Sequence, residues 1–237
     1  MLPMPTTALV TGATEGIGRA IAFALGAAGH QVGVCARTPA NVDRLLKDLA
    51  AAGITAAGIA CDVGDPAQVA ALVAHVTQRL GPVDVLVNNA GIGVLKPFAE
   101  LSLAEWDAII ATNLRSLYLV TSAVLPGMRQ RKQGDVINIS SLAGKRGFPG
   151  GTAYSASKHA VMGFSESLNL EVRKEGIRVV AVCPGSVDTK IIQAQTLFEK
   201  DPNKILKPED VAAMVLAVLQ LPRRATVTEF EIRPSDP

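Results

Sequence analysis

Thr11-Gly12-Ala13-Thr14-Glu15-Gly16-Ile17-Gly18 follows a short apolar run, Ala8 to Thr11. It precedes a stretch, Ile17 to Ala28, whose apolar residues recur at helical spacing up to Gly29. The glycines permit a tight turn, a close approach of backbone to a ligand, and helix packed directly on strand. Free amides at a helix start, with the positive end of its dipole, suit a pyrophosphate. A plain glycine turn would use the same residues, but placement directly between strand and helix favours a phosphorylated ligand. The spacing G-x-x-x-G-x-G differs from G-x-G-x-x-G. It also lacks the Gly-Lys-Ser/Thr of a P-loop, which disfavours an ATPase or GTPase.

Outward from that turn the chain alternates strands and helices. Further strands are expected at Gln31 to Ala36, Ile54 to Val63, Val83 to Asn88, Val136 to Ser140, Ile177 to Cys183 and Thr226 to Ile232. Helices are expected at Asn41 to Ala52, Gln68 to Leu80, Leu103 to Arg131, Ala153 to Lys174 and Val211 to Leu221. Pro126-Gly127 should bend or interrupt the longest of them. Continuous apolar strands such as Val83 to Asn88 are covered on both faces. The alternation predicts a doubly wound, Rossmann-like α/β fold: one parallel sheet of seven strands, helices on both faces, a single domain over residues 1–237. Lys190 to Lys207 is polar and broken, and reads as a substrate lid.

With 49% hydrophobic and 19% charged residues, the 237-residue chain can build a sizeable core and is not disordered. Aromatics at 4% leave that core to Ala, Val, Leu and Ile. The 23 basic and 21 acidic residues form no block of like charge, which argues against nucleic acid as a partner. No apolar run reaches membrane-spanning length without a charge, Gly or Pro, and the start lacks the pattern of a signal peptide. No membrane partner and a cytoplasmic location are therefore expected. Cys35, Cys61 and Cys183 show no CxxC pairing, and with His30 and His75 outside any cluster, no metal site is expected.

The second predicted strand ends Cys35-Ala36-Arg37-Thr38, where a carboxylate for ribose hydroxyls is common. Arg37 stands there instead and can pair a 2′-phosphate, with Thr38 adding a hydroxyl. A solvated surface arginine is the alternative. Tyr154 and Lys158 share a helix face, and Ser140 and Ser141 end a strand at the edge where open α/β sheets bind ligands. A phenol titrates near 10, and a nearby ammonium would lower that value, making Tyr154 a plausible general acid and base. A serine hydroxyl could hold a carbonyl oxygen. A chance surface pair is the alternative.

These motifs, in this order from Thr7 to about Pro234, resemble the short-chain dehydrogenase/reductase family. The turn matches its TGxxxGxG signature. Asp62-Val63 matches the adenine-holding pair, Asn88-Asn89-Ala90-Gly91 the NNAG segment, and Thr112-Asn113-Leu114 the site of the catalytic Asn. Ser141, thirteen residues before Tyr154, matches the catalytic Ser, and Pro184-Gly185-Ser186-Val187-Asp188-Thr189 matches the nicotinamide-contacting PGxVxT segment. The resemblance implies catalytic roles for Asn113, Ser141, Tyr154 and Lys158. Tyr154 would protonate the carbonyl as hydride arrives, with Ser141 on the carbonyl oxygen. Lys158 would bind ribose and depress the Tyr154 pKa, and Asn113 would fix a relay water. It implies cofactor contacts at Gly12, Thr14, Glu15, Gly16, Ile17, Gly18, Arg37, Thr38, Asp62, Val63, Asn89, Ala90, Gly91, Tyr154, Lys158, Pro184, Gly185, Val187 and Thr189. Glu15 is expected to face solvent at the helix start, and Ser140 to be structural.

The ending, Val227 to Pro234 after Lys207-Pro208-Glu209-Asp210, resembles the NADP-dependent carbonyl and hydroxy-acid reductases of the family. It lacks the VDGG-like ending of its fatty-acid type. The expected activity is hydride transfer between NADP(H), rather than NAD(H), and a small carbonyl or alcohol. The alternatives are a 3-oxoacyl-thioester reductase, or a non-catalytic NADPH-sensing or scaffold protein. The resemblance also implies a homotetramer or homodimer.

Overall fold

The computed structural model describes residues 6–193, 201 and 204–235. Seven strands form one parallel sheet: β1 Thr7–Thr11, β2 Gln31–Ala36, β3 Ala56–Ala60, β4 Val83–Asn88, β5 Gly134–Ile139, β6 Ile177–Pro184 and β7 Glu229–Ile232. The α-helices among the described residues are α1 Gly16–Ala27, α2 Pro39–Ala51, α3 Pro66–Leu80, α4 Leu103–Ile110, α5 Ser116–Arg131, α6 Thr152–Val172, α7 Lys190–Gln193 and α8 Pro208–Leu219. The strand order is β3-β2-β1-β4-β5-β6-β7, the doubly wound arrangement.

Side chains alternate between sheet faces with period two, and that alternation divides the core in two. Ala8 and Val10 of β1 join Val32, Val34, Val85 and Val87 on the face covered by Ile21 and Leu25 of α1 and Val211 and Val215 of α8. Leu9, Cys35, Leu86, Val136 and Val179 face the other way. They pack on Leu72 and Val76 of α3, Val120 and Val124 of α5, and Leu168 of α6. Both faces of the central strands are covered by helices, which is why runs such as Val85 to Val87 are apolar throughout.

Boundaries differ from expectation where local apolarity ran past pairing. The third strand is Ala56–Ala60 rather than Ile54 to Val63. Ile54 sits instead in the preceding loop, buried against Gly26 of α1. The last strand begins only at Glu229.

The stretch 103–131 is one continuous helical run, long and apolar enough by composition to cross a membrane. Here it lies against the sheet, with Val120, Val124 and Met128 buried. It does not break at Pro126. The proline denies Ser122 its helical donor, but Ser122 is exposed and water can serve that carbonyl. The irregularity falls at Ala111–Arg115, a single π-helical turn of the kind found at functional sites. Of the expected lid, Lys190–Gln193 is helical and Leu206 bridges to Val187. Residues 194–200 and 202–203 lie outside the described residues.

Candidate active site

Strand order reverses between β1 and β4, and parallel neighbours diverge above that point. A cleft of about 1630 Å³ opens there, at the carboxyl ends of the strands. Its first wall is the turn between β1 and α1. Gly12 has φ of +63°, and a Cβ there would stand 2.9 Å from the Ala90 Cα. A Cβ on Gly18 would meet the Gly12 carbonyl oxygen and the Asn89 Nδ2, each at 2.4 Å. Only glycine lets turn, helix and the segment after β4 touch.

That segment is tied down by the turn itself. The amides of Asn89 and Ala90 both donate to Thr11 Oγ1 at 3.0 Å. Asn89 Nδ2 donates to the carbonyls of Thr11 and Gly12. Asn88 points away, into a buried chain through Asn138 Oδ1 at 2.9 Å, and Asn138 continues it to Ser165. So Asn89, Ala90 and Gly91 face the cleft while Asn88 braces β4 against β5. Asp62 and Val63 line the same cleft beyond β3. The Asp62 carboxylate accepts from the Gly64 amide at 2.9 Å.

Arg37 is exposed at the cleft rim, with no ion-pair partner among the described residues. Thr38 is the N-cap of α2, yet its hydroxyl makes no capping bond. Cation and hydroxyl are therefore both available where a 2′-phosphate is expected. Glu15 is exposed at the start of α1, as expected, and its carboxylate also forms an ion pair with the exposed Lys190, which joins the glycine turn to the segment after β6 at the cleft mouth. Thr189 packs over Gly16, and its hydroxyl donates to the Val187 carbonyl. Pro184, Gly185 and Val187 line the same wall, with the Gly185 amide held by the Ile232 carbonyl.

The catalytic candidates meet at the cleft floor. Asn113 sits in the π-turn, buried, and its side chain clamps Ile92 twice: Oδ1 accepts from Ile92 N at 2.8 Å and Nδ2 donates to Ile92 O at 3.0 Å. Nδ2 also donates to Ser157 Oγ, and Ser157 in turn donates to the Tyr154 carbonyl. The extra residue of the π-turn thus carries Asn113 into contact with both the segment after β4 and helix α6. Ser157 and Ile92 were not singled out in the sequence. Ser157 lies three residues after Tyr154 and so on a neighbouring helix face, which was its one signal. Ile92 acts through backbone alone and leaves no signal in residue type.

Ser140 and Ser141 have different surroundings. The Ser140 hydroxyl is buried and donates to the Lys158 carbonyl at 3.1 Å. Ser141 caps the turn Leu142–Gly144 and stands beside the Tyr154 hydroxyl. Burial pushes the Tyr154 phenol above its usual pKa, and hydrogen bonding to Ser141 works against that rise. Lys158 does not lower it as the i, i+4 spacing suggested. Its ammonium donates to the Ile139 carbonyl at 2.8 Å and lies 5.7 Å from the Tyr154 ring centroid. With no carboxylate beside it, burial brings Lys158 down to about 8. Gly91 fits between Asn113 Oδ1 and Lys158 Nζ. Among the described residues no three His, Cys, Asp or Glu side chains gather as a metal site, and the three cysteines are unpaired and buried.

The glycine cradle, which a Cβ would fill, and the uncapped first turn of α1 fit a dinucleotide pyrophosphate. Residues 6–200 match the family model described as short chain dehydrogenase. A Streptomyces violaceoruber protein, named for ketoacyl reduction in granaticin polyketide synthesis, is 42% identical over 88% of this chain and 84% of its own. The 3-oxoacyl-(acyl-carrier-protein) reductase of Pseudomonas aeruginosa is 38% identical over 88% of this chain and 87% of its own. Among solved structures, an actinorhodin polyketide ketoreductase variant with NADPH superposes with a TM-score of 0.91. It is 39% identical and covers 97% of this chain and 96% of its own.

Proposed function

The chain belongs to the short-chain dehydrogenase family, and from that premise we propose that it is an oxidoreductase moving hydride between NADP(H) and a carbonyl or alcohol substrate. One observation carries the reading. Ser141, Tyr154 and Lys158 line one cleft beside the glycine cradle, and Asn113, from a third element, stands behind its wall bonded to Ile92 and Ser157.

The dihydronicotinamide, when bound, supplies the hydride. Gly12 to Gly18 would hold the pyrophosphate, Asp62 and Val63 the adenine, and Arg37 and Thr38 the 2′-phosphate. Lys158 would hold the nicotinamide ribose, and Pro184, Gly185, Val187 and Thr189 the ring. Tyr154 then donates the phenolic proton to the carbonyl oxygen as charge develops there. Burial makes the phenol a weaker acid, and the Ser141 hydrogen bond, which works against that rise, assists the transfer. The Ser141 hydroxyl hydrogen-bonds the same oxygen. The Lys158 ammonium, which donates to the Ile139 carbonyl, would serve the ribose rather than the phenol. Asn113 acts at one remove, fixing Ile92 and Ser157 on either side of that pair.

A second reading, reduction of a 3-oxoacyl thioester, is favoured by the names its relatives carry. Tyr118 on α5 and Leu170 on α6 are large exposed apolar residues, and they support assembly as a homodimer or homotetramer through those helices. Light scattering after size exclusion tests that assembly, and a monomeric mass would refute it. Unpaired buried cysteines suit a cytoplasmic setting.

The test of activity is NADPH oxidation, followed by absorbance, with a panel of ketones, diketones and acetoacetyl thioesters. Tyr154→Phe should lower turnover by about 10²–10⁴-fold, while fluorescence titration shows NADPH still bound. Near wild-type turnover in that variant would remove the assignment.

A further inference from the structure

The cations lining the cleft sort by their partners. Arg19 pairs with Asp48 and lies over the Phe23 ring. Lys190 pairs with Glu15 and Arg233 with Glu231. Lys158 is held by the Ile139 carbonyl. Two guanidinium groups remain without an ion-pair partner among the described residues, and they stand on different walls. Arg37 follows β2, on the cofactor side. Arg146 belongs to the loop that begins at Ser141.

Arg146 is placed by that loop. Its amide donates to the carbonyl of Leu142, the residue after Ser141, at 3.0 Å. Its side chain is exposed at the cleft wall. Neighbouring Lys145 is already neutralised by Glu229 and Glu231. The same cleft carries apolar lining from Ile92, Leu95, Leu142, Phe148 and Ile191. The carboxylates that also line the cleft, Glu15, Asp62, Asp188 and Glu209, belong to the β1–α1 turn, the end of β3, the segment after β6 and the start of α8. An apolar wall with one unpaired guanidinium suits a molecule that is apolar along its length and anionic at one end.

Resting on the carbonyl reduction proposed above, we infer that Arg146 is a specificity-determining residue that selects carbonyl substrates bearing an anionic group. The apolar wall takes the carbon chain. The guanidinium, with its planar fork of donors, takes a carboxylate or phosphate as a charge-assisted pair. That anion has two chemical sources: the substrate's own carboxylate, or the phosphate of a pantetheine arm carrying the acyl group as a thioester.

The experiment compares matched substrates under NADPH. One arm sets oxo-carboxylic acids of increasing length against their methyl esters. The other sets acetoacetyl-pantetheine 4′-phosphate against acetoacetyl-pantetheine. We expect the anionic member of at least one arm to be favoured about tenfold in kcat/KM, mainly through a lower KM, a preference of about 1.4 kcal/mol. Arg146→Gln should erase the preference by raising KM for the anionic member, and Arg146→Lys should restore part of it, because the charge returns without the fork. The arm that responds identifies the source of the anion. If neutral substrates are reduced but neither anion is preferred, or Arg146→Gln keeps the preference, the inference fails and the proposed reaction stands. If no carbonyl compound in either arm is reduced, the proposed reaction fails and this inference falls with it.

Discussion

Replacing Lys158 by Met should make the cofactor-free protein more stable while removing its activity. In the folded chain the ammonium is buried and titrates at about 8 instead of 10.5. At pH 7 that displacement means a cost to folding of about 3 kcal/mol, from about 1.4 kcal/mol per tenfold change in proton affinity. Methionine keeps the length and apolar stem and removes the charge. It also strips the Ile139 carbonyl of its donor, which returns about 1–2 kcal/mol of the gain. The net expectation is a stabilisation of about 1–2 kcal/mol, or roughly 2–8 °C in Tm for a chain of this size.

The pH dependence carries the sign. Because the folded pKa lies below the unfolded one, the cost is fully present below about pH 8 and fades as pH rises from there toward 10.5. The advantage of Lys158→Met over wild type should therefore shrink steadily across that window. Thermal unfolding of both proteins at pH 7, 8, 9 and 10, without nucleotide, measures it. A variant less stable than wild type at pH 7, or a difference that does not vary with pH, would refute the claim that burial of this charge strains the fold.

Other expectations follow from single contacts. Arg37→Ala should reduce the NADPH-over-NADH ratio of kcat/KM by on the order of tenfold to a hundredfold, and an unchanged ratio would place the 2′-phosphate elsewhere. Gly18→Ala drives a Cβ into the Gly12 carbonyl and the Asn89 amide, so NADPH binding by fluorescence titration should be lost and stability should drop by about 1–3 kcal/mol; full-strength binding would show that the turn yields. Lys190→Ala leaves the Glu15 carboxylate unpaired beside the phosphate site. NADPH should then bind a few-fold more weakly, and Glu15→Gln in the same chain should restore it; tighter binding in the single variant would contradict the repulsion.

Much of this protein is local and was therefore legible along the chain. A continuous apolar run such as Val83 to Asn88 marks a strand covered on both faces whatever the neighbouring strands are. A glycine turn between strand and helix announces itself by residue type, as does a Tyr and Lys four apart on one helix. Where strands end was less legible, because Ile54 is apolar enough to extend a strand yet is drawn under α1 instead. The π-turn at Asn113 carries no glycine or proline to mark it, while Pro126, which does carry a mark, leaves the helix whole.

What only the tertiary structure decided are the partners of charged and polar groups. Lys158 beside Tyr154 in a helix predicts a lowered phenol pKa. The folded chain turns the ammonium to the Ile139 carbonyl and buries both groups, so desolvation governs each. Glu15 finds Lys190 because the strand order brings the ends of β1 and β6 around one cleft. Arg178, inside an otherwise apolar strand, is stable there because it meets Asp135 on the paired strand β5 at 2.5 Å. Periodicity and propensity act over a turn or a pleat and are written in neighbouring residues. Desolvation and ion pairing depend on which distant segments are packed together, and that is set only when the sheet closes on its helices.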